Sequence, residues 1–121
     1  MSRSSHRKAT RIPVQWDIRA TVEEVRFNGQ ALDISSSGVF MQTPVTPNLL
    51  DEVVVAWTLP TGEVVECPAW VRWVGVSATH GCQGVGLQFT RDVPEMDTWY
   101  AEECGRHLRA MAESGIGEML D

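Results

Sequence analysis

The sequence has no long apolar run, no leading apolar segment and no paired cysteine motif, and each absence excludes a class of protein. The longest apolar run, residues 53–57, is far too short to span a bilayer. The first eight residues carry charges with no apolar core behind them, so they do not resemble a secretory signal. Three cysteines without a Cys-x-x-Cys spacing favour free thiols in a reducing compartment. We therefore expect a cytoplasmic protein.

The chain is also short. At 121 residues it has no room for a separate catalytic domain beside a core domain. Its 43% hydrophobic and 21% charged residues are typical of an ordinary globular protein and favour neither a disordered nor a fibrous chain. The expected organisation is a flexible basic arm over residues 1–11, a folded domain over 12–114 and a tail over 115–121.

Cations are scarce outside the arm. Residues 1–11 hold four cations and no acid, whereas the rest of the chain holds six cations and sixteen acids, a net charge of −10. A protein that binds long nucleic acid spreads its cations over a whole face, and an acidic body repels an extended phosphate backbone. The distribution favours a small anionic ligand over a polynucleotide.

Apolar and polar residues alternate strictly over 12–22, which predicts a half-buried strand. After residue 22 this alternation shifts by one position, and we interpret the shift as a β-bulge at Glu23 and Glu24. The pair Asn28-Gly29 predicts a hairpin turn, after which a second strand follows.

Further strands follow at short spacing, separated by turn signals such as Pro60 and Gly62. They are expected at 39–43, 53–59, 64–76 and 83–90. Six short antiparallel strands predict an all-β fold, a closed or nearly closed six-stranded barrel. From Pro94 the apolar residues recur at helical spacing, which predicts a C-terminal α-helix that stops at Ser114-Gly115.

The alternation of apolar and polar residues in the predicted strands indicates which of the five tryptophans are buried. Trp16, Trp57 and Trp73 fall on apolar strand faces and are expected in the core. This leaves Trp70 and Trp99 as the ones available to a partner. The strand over 64–76 has large apolar groups on both faces, so one face is expected to fill the barrel and the other to lie under the helix.

Arg7 and Arg11 form an RxxxR spacing that ends where the first strand begins. A guanidinium presents a planar fork of donors that grips phosphate oxygens or the O6 and N7 edge of guanine, and it also stacks on a base. Two forks four residues apart suit one ligand held from two sides. The alternative for this motif alone is a solvated basic terminus.

Asp33, Ser35 and Gly38 form a DxSxxG spacing at the end of the second strand. Strand alternation sends Ile34 into the core and places Asp33 and Ser35 together on the opposite face. The carboxylate suits the N1 and N2 donors of guanine, and the hydroxyl suits a phosphate or a base edge. Gly38 takes positive φ or lets the backbone approach a ligand closely. The alternative is a serine-rich turn that satisfies its own backbone.

In this order and on these elements, the two motifs resemble those of the PilZ domain family of bacterial cyclic di-GMP receptors. In that family an RxxxR arm precedes the first strand, a [DN]xSxxG motif follows the second, and the fold is a six-stranded barrel with a C-terminal helix. No position of either motif departs from the pattern. The glycine-rich run at 84–89 is similar to a late strand of such domains, and the resemblance covers residues 7–112.

The resemblance implies a cyclic di-GMP receptor in which ligand capture orders the arm and changes the surface that a protein partner reads. The ligand-binding residues that it implies are Arg7, Arg11, Asp33, Ser35 and Gly38, with Lys8 as a secondary contact suggested by proximity. One alternative is a ligand-independent interaction adaptor with the same fold. Another, disfavoured by the acidic body, is a barrel that binds single-stranded nucleic acid.

Signals for catalysis or for a metal are weak. No histidine adjoins a serine in a G-x-S-x-G elbow, so neither enzymatic activity nor a cofactor is expected. Cys104 with His107 and Cys82 with His80 are potential metal ligands. Because Cys104 lies on the apolar stripe of the predicted helix, no metal site is expected.

Overall fold

The computed structural model describes residues 10–113, which form six strands, a short 3-10 turn and one helix. The strands are β1 (Ile12–Val22), β2 (Val25–Ile34), β3 (Gly38–Gln42), β4 (Glu52–Thr58), β5 (Val64–Ser77) and β6 (Cys82–Phe89). The 3-10 turn is Pro94–Met96, and the helix α1 is Asp97–Glu113. The predicted helix stop at Ser114-Gly115 lies outside the described residues.

The six strands close into one barrel in the order β1-β2-β3-β6-β5-β4, and every neighbouring pair is antiparallel. The predicted all-β barrel with a C-terminal helix is therefore confirmed. Alternate side chains of the strands fill the interior, and Val93 and Met96 add to this core from the connection to α1. Burying a methionine side chain stabilises a fold by about 1.5–3 kcal/mol. Among the described residues, no helix has the length and apolar character needed to cross a membrane.

The turn between β1 and β2 lies at Glu23 and Glu24. Val22 pairs with Val25 across this two-residue loop, and Glu23 adopts a φ of 56°. Residues that face each other in an antiparallel pair point to the same side of the sheet. Because Val22 faces Val25, three positions later, the alternation of apolar and polar residues shifts by one position at this turn, as it would at a bulge. The predicted bulge at these glutamates and the predicted turn at residues 28–29 are both wrong for this reason.

Asn28 and Gly29 lie inside β2, where they pair with Arg19 and Ile18 of β1. A Cβ atom on Gly29 would come 2.2 Å from the main-chain oxygen of Gln42 on β3. The glycine is therefore needed because two strands approach closely, and it does not mark a chain reversal.

β5 contains one more residue than β6 needs for continuous pairing. Val71 and Trp73 pair with successive residues of β6, which makes Arg72 the bulged residue. Beyond the bulge Val74 packs against the core, and Trp73 is 41% exposed. The prediction that Trp73 lies in the core is wrong because strict alternation does not continue through a bulge.

The helix packs on β1. The rings of Trp99 and Trp16 have centroids 4.9 Å apart and planes tilted by 57°. Trp70, on the outer face of β5, is 45% exposed. The expectation that the helix covers that face of β5 is therefore wrong: Trp70 is available to a partner as predicted, whereas Trp99 is partly buried against Trp16.

Candidate ligand-binding site

Asp33 lies near the end of β2, and Arg11 stands directly before β1. Because Pro13 pairs with Asp33 across two antiparallel strands, the residue that enters β1 lies beside the residue that leaves β2. The Nε atom of Arg11 donates to Oδ1 of Asp33 at 2.5 Å, and Nη2 forms an ion pair with the same oxygen at 2.5 Å. The structure thus brings one residue of each predicted motif into direct contact.

His80 is a third member of this cluster, and the sequence did not predict it. Its Nε2 atom lies 2.5 Å from Oδ2 of Asp33. Because an ionised carboxylate only accepts hydrogen bonds, Nε2 is the donor. The imidazole stacks on Phe40 with ring centroids 4.9 Å apart and planes 19° apart. Nothing in the sequence signals this contact, since 47 positions separate His80 from Asp33.

The loop from β5 to β6 fixes the position of His80. The His80 N–H donates to Oγ of Ser77 at 3.0 Å, and the Gly81 N–H donates to the Ser77 carbonyl at 2.7 Å. Gly81 has a φ of 70°, a left-handed conformation that glycine adopts without steric cost. This closed turn directs the imidazole towards Asp33.

Ser35 does not share an exposed face with Asp33 as predicted. β2 ends at Ile34, the chain turns, and Ser35 is fully buried. Its hydroxyl accepts a hydrogen bond from the Ser37 N–H at 3.1 Å, and the Ser35 N–H donates to the Gly38 carbonyl at 2.8 Å. In the structure Ser35 closes the turn, and its contact with a ligand stays a prediction.

Gly38 begins β3 and pairs with Gln88 of β6. A Cβ atom at this position would lie 2.3 Å from the main-chain oxygen of Leu87. The described glycines with positive φ are Gly62, Gly75 and Gly81. Gly38 is not among them, so the first of its two predicted roles, a positive φ, is not observed. The close approach that it permits is between two strands.

The cluster opens onto a groove of about 520 Å³, a size typical of ligand pockets. The residues that line it include Arg11, Asp33, Ser37, Gly38, Arg72, Trp73 and His80. Two guanidinium groups beside an exposed indole suit an anionic ligand with flat bases. A larger depression of about 830 Å³, lined by β1, β2, β4 and the start of β5, contains none of the motif residues that the structure describes, so the motif chemistry favours the smaller groove.

Tyr100 of α1 reaches the base of the arm. Its hydroxyl donates to the main-chain oxygen of Thr10 at 2.5 Å. Burial raises the pKa of the Tyr100 hydroxyl above its ordinary value, neighbouring Cys104 adds to the increase, and hydrogen bonding with Ser36 opposes it. The hydroxyl therefore stays protonated near neutral pH and lies between the arm and the DxSxxG turn. Like His80, Tyr100 was not predicted as a residue of the site.

Two predicted residues cannot be placed. Arg7 and Lys8 lie outside the described residues, and their roles stay predictions. Across residues 10–113, no three His, Cys, Asp or Glu side chains are grouped as metal ligands. The three cysteines are free thiols.

One family model, described as the PilZ domain, matches residues 3–103. This span includes both motifs and all six strands. The chain belongs to the PilZ domain family. The resemblance noted from the motifs is thereby confirmed, and the family is one of cyclic di-GMP receptors. Among the curated proteins compared, none matches the sequence.

Solved structures share the PilZ fold at low sequence identity. MotI/DgrA, the inhibitor of motility of Bacillus subtilis, is 15% identical with a TM-score of 0.72, and the match covers 86% of this chain and 52% of that one. The PilZ domain of CeSA from a cellulose-synthesizing bacterium is 19% identical with a TM-score of 0.57, covering 82% and 99% of the two chains. The PilZ domain of YcgR from Escherichia coli, solved with c-di-GMP, is 9% identical with a TM-score of 0.64, covering 90% and 97%. The match with MotI/DgrA thus spans about half the length of that protein.

Proposed function

We propose that this PilZ domain is a receptor that captures cyclic di-GMP in the groove at Arg11, Asp33 and Gly38. The observation that carries the proposal is the contact between Arg11 and Asp33, which joins the two motifs at one point of the groove. Membership of a cyclic di-GMP receptor family supports it. The similar fold of YcgR, which was solved with this ligand, supports it as well.

The ligand carries two guanines and two phosphates, and the side chains of the two motifs match these groups. Arg7 and Arg11 supply guanidinium forks for phosphate oxygens and for the O6 and N7 edge of guanine. Lys8 adds a secondary phosphate contact. The Asp33 carboxylate accepts from the N1 and N2 donors on the other edge of the base.

Ser35 and Gly38 complete the proposed ligand-binding set, and both shape the wall of the groove. The Ser35 hydroxyl holds the main chain of Ser37, and Ser37 lines the groove. Gly38 lets β3 lie close against β6 at the same wall. A ligand contact from either residue would add to this structural role.

The proposed output is not enzymatic. Ligand capture fixes the arm against the barrel, and a protein partner recognises the changed surface. Fixing a chain segment loses conformational entropy, so the ligand contacts must offset several kcal/mol before affinity appears. MotI/DgrA is described as an inhibitor of motility, which supports a regulatory output for a domain of this fold.

Isothermal titration calorimetry with cyclic di-GMP tests the proposal. We expect micromolar or tighter binding by the wild type and a loss of at least about tenfold in affinity for Arg11→Ala and for Asp33→Ala, because each removes charge-assisted hydrogen bonds. Arg26→Ala is the matched control, since Arg26 is an exposed arginine of β2 that does not line the groove. A wild type that gives no heat at high micromolar ligand would refute the proposal.

A second candidate function is a ligand-independent interaction adaptor, and the exposure of Trp70 on β5 favours it. An exposed tryptophan is enriched at binding hot spots. A partner that is captured equally with and without cyclic di-GMP, and equally by Asp33→Ala, would favour this candidate. Loss of that capture in Trp70→Ala would place the contact on β5.

A further inference from the structure

The number of acceptor sites on Asp33 limits what can bind there at the same time. A carboxylate offers about four lone-pair sites, two on each oxygen. Two nitrogen atoms of Arg11 lie 2.5 Å from Oδ1, Nε as a hydrogen-bond donor and Nη2 as an ion-pair partner, and Nε2 of His80 lies on Oδ2. Among the described residues Oδ1 is therefore the more crowded oxygen, and Oδ2 keeps an acceptor site.

The guanine edge that Asp33 is proposed to read presents two parallel donors, N1–H and the N2 amino group. Reading both donors requires one acceptor site on each carboxylate oxygen. With both nitrogen atoms of Arg11 against Oδ1, a donor of the base has no room at that oxygen. Arg11 must therefore move away from Oδ1 before the base binds, whereas His80 need not leave, because Oδ2 keeps a site for the base.

We propose that His80 is a positioning residue that holds Asp33 in the orientation that selects guanine. This inference rests on the proposed function. The Arg11 side chain is 47% exposed, so its movement from the carboxylate to the ligand meets little obstruction. The His80 side chain is 19% exposed and is stacked on Phe40, so it stays in place. When Arg11 moves to the ligand, the His80 hydrogen bond keeps the carboxylate from rotating.

The consequence is base selectivity. Adenine presents a lone pair at N1 where guanine presents a donor, so a fixed carboxylate repels adenine and pairs with guanine. A carboxylate that rotates freely pairs less well with guanine and no longer enforces the repulsion. Selectivity between the two bases is therefore the property that the His80 contact sets.

Two substitutions separate the hydrogen bond from the packing. His80→Phe keeps a flat ring on Phe40 and removes the N–H donor, whereas His80→Gln restores a donor near the position of Nε2. His107→Phe is the matched control, because His107 lies on α1 and does not line the groove. Each variant is titrated with cyclic di-GMP and with cyclic di-AMP, and its thermal unfolding is recorded.

We expect His80→Phe to bind cyclic di-GMP about tenfold more weakly, as for the loss of a charge-assisted hydrogen bond, and to bind cyclic di-AMP as well as or better than the wild type because the repulsion is relieved. The preference for guanine over adenine then falls by at least this factor, and His80→Gln recovers most of it. A purely structural role would lower the unfolding temperature and leave this preference unchanged.

Three outcomes would overturn the inference. These are an unchanged base preference in His80→Phe, tighter cyclic di-GMP binding in His80→Phe, and a His80→Gln variant that is no better than the phenylalanine variant. Tighter binding would mean that His80 competes with the base. A wild type that binds neither dinucleotide would instead defeat the proposed function, and the inference with it.

Discussion

Gly38→Ala tests whether the glycine of the DxSxxG motif acts through the barrel. The added Cβ would lie 2.3 Å from the main-chain oxygen of Leu87, whereas ordinary van der Waals contact begins near 3.4 Å. β3 and β6 would have to separate locally by about 1 Å, because a backbone oxygen in a closed sheet has no rotamer to change. Their ladder begins at this residue, with Gly38 opposite Gln88.

Inserting a methyl group into a packed structure costs about 1–3 kcal/mol. For a domain of this size such a loss lowers the melting temperature by roughly 5–15 °C. We therefore expect Gly38→Ala to unfold at clearly lower urea concentration, with tryptophan fluorescence as the probe. Its weaker ligand binding would follow from the distorted wall of the groove.

Gly86→Ala is the control, because Gly86 is also in the groove but its added Cβ would meet only the Trp73 Cβ at 3.4 Å. We expect a change in unfolding free energy below about 1 kcal/mol for this variant. The reasoning would be refuted if Gly38→Ala kept the wild-type free energy of unfolding and lost ligand binding alone. In that case the glycine would be needed for close approach of the ligand.

Two further predictions concern α1 and its connection to the barrel. Tyr100→Phe removes the hydrogen bond to Thr10, so we expect cyclic di-GMP affinity to fall by about 2- to 10-fold in calorimetry; unchanged affinity would contradict a role at the arm. Hydrogen bonding from Arg91 lowers the pKa of Glu95, so the pair stabilises the fold above the ordinary glutamate pKa and loses this effect as the pH falls through the lowered value. Glu95→Gln should therefore be less stable than the wild type at neutral pH in urea denaturation, and the difference should disappear in acid; a constant difference would count against it.

The barrel could be predicted because its strands obey local rules. Alternation over β1 and the turn signals around Gly62 survive in the structure, where Gly62 has a φ of 96°. The rules failed where pairing between strands decides the outcome. A two-residue reversal at Glu23 and a bulge at Arg72 both shift the apolar phase by one, and only the partner strand distinguishes them.

The site was predictable to the extent that its residues belong to short motifs. Arg11 and Asp33 are 22 positions apart, and the motif pattern pointed to both. His80 and Tyr100 belong to no motif in the sequence, and their contacts depend on how the β5–β6 loop and α1 fold back on the barrel. Ser35 belongs to a motif, yet the chain turn after β2 buries its side chain.

The bulge at Arg72 means that the length of β5 sets how many of its side chains face the groove, because Arg72 and Trp73 are consecutive and both point outwards. Deleting Arg72 would make the pairing of β5 with β6 continuous and would leave Trp73 outside the barrel and Val74 inside it. A single-codon deletion would thereby remove one guanidinium from the groove and keep Trp73 there, without altering any residue of either motif. Insertions and deletions in this strand are therefore a direct route by which relatives of this domain could acquire different ligand preferences on an unchanged barrel.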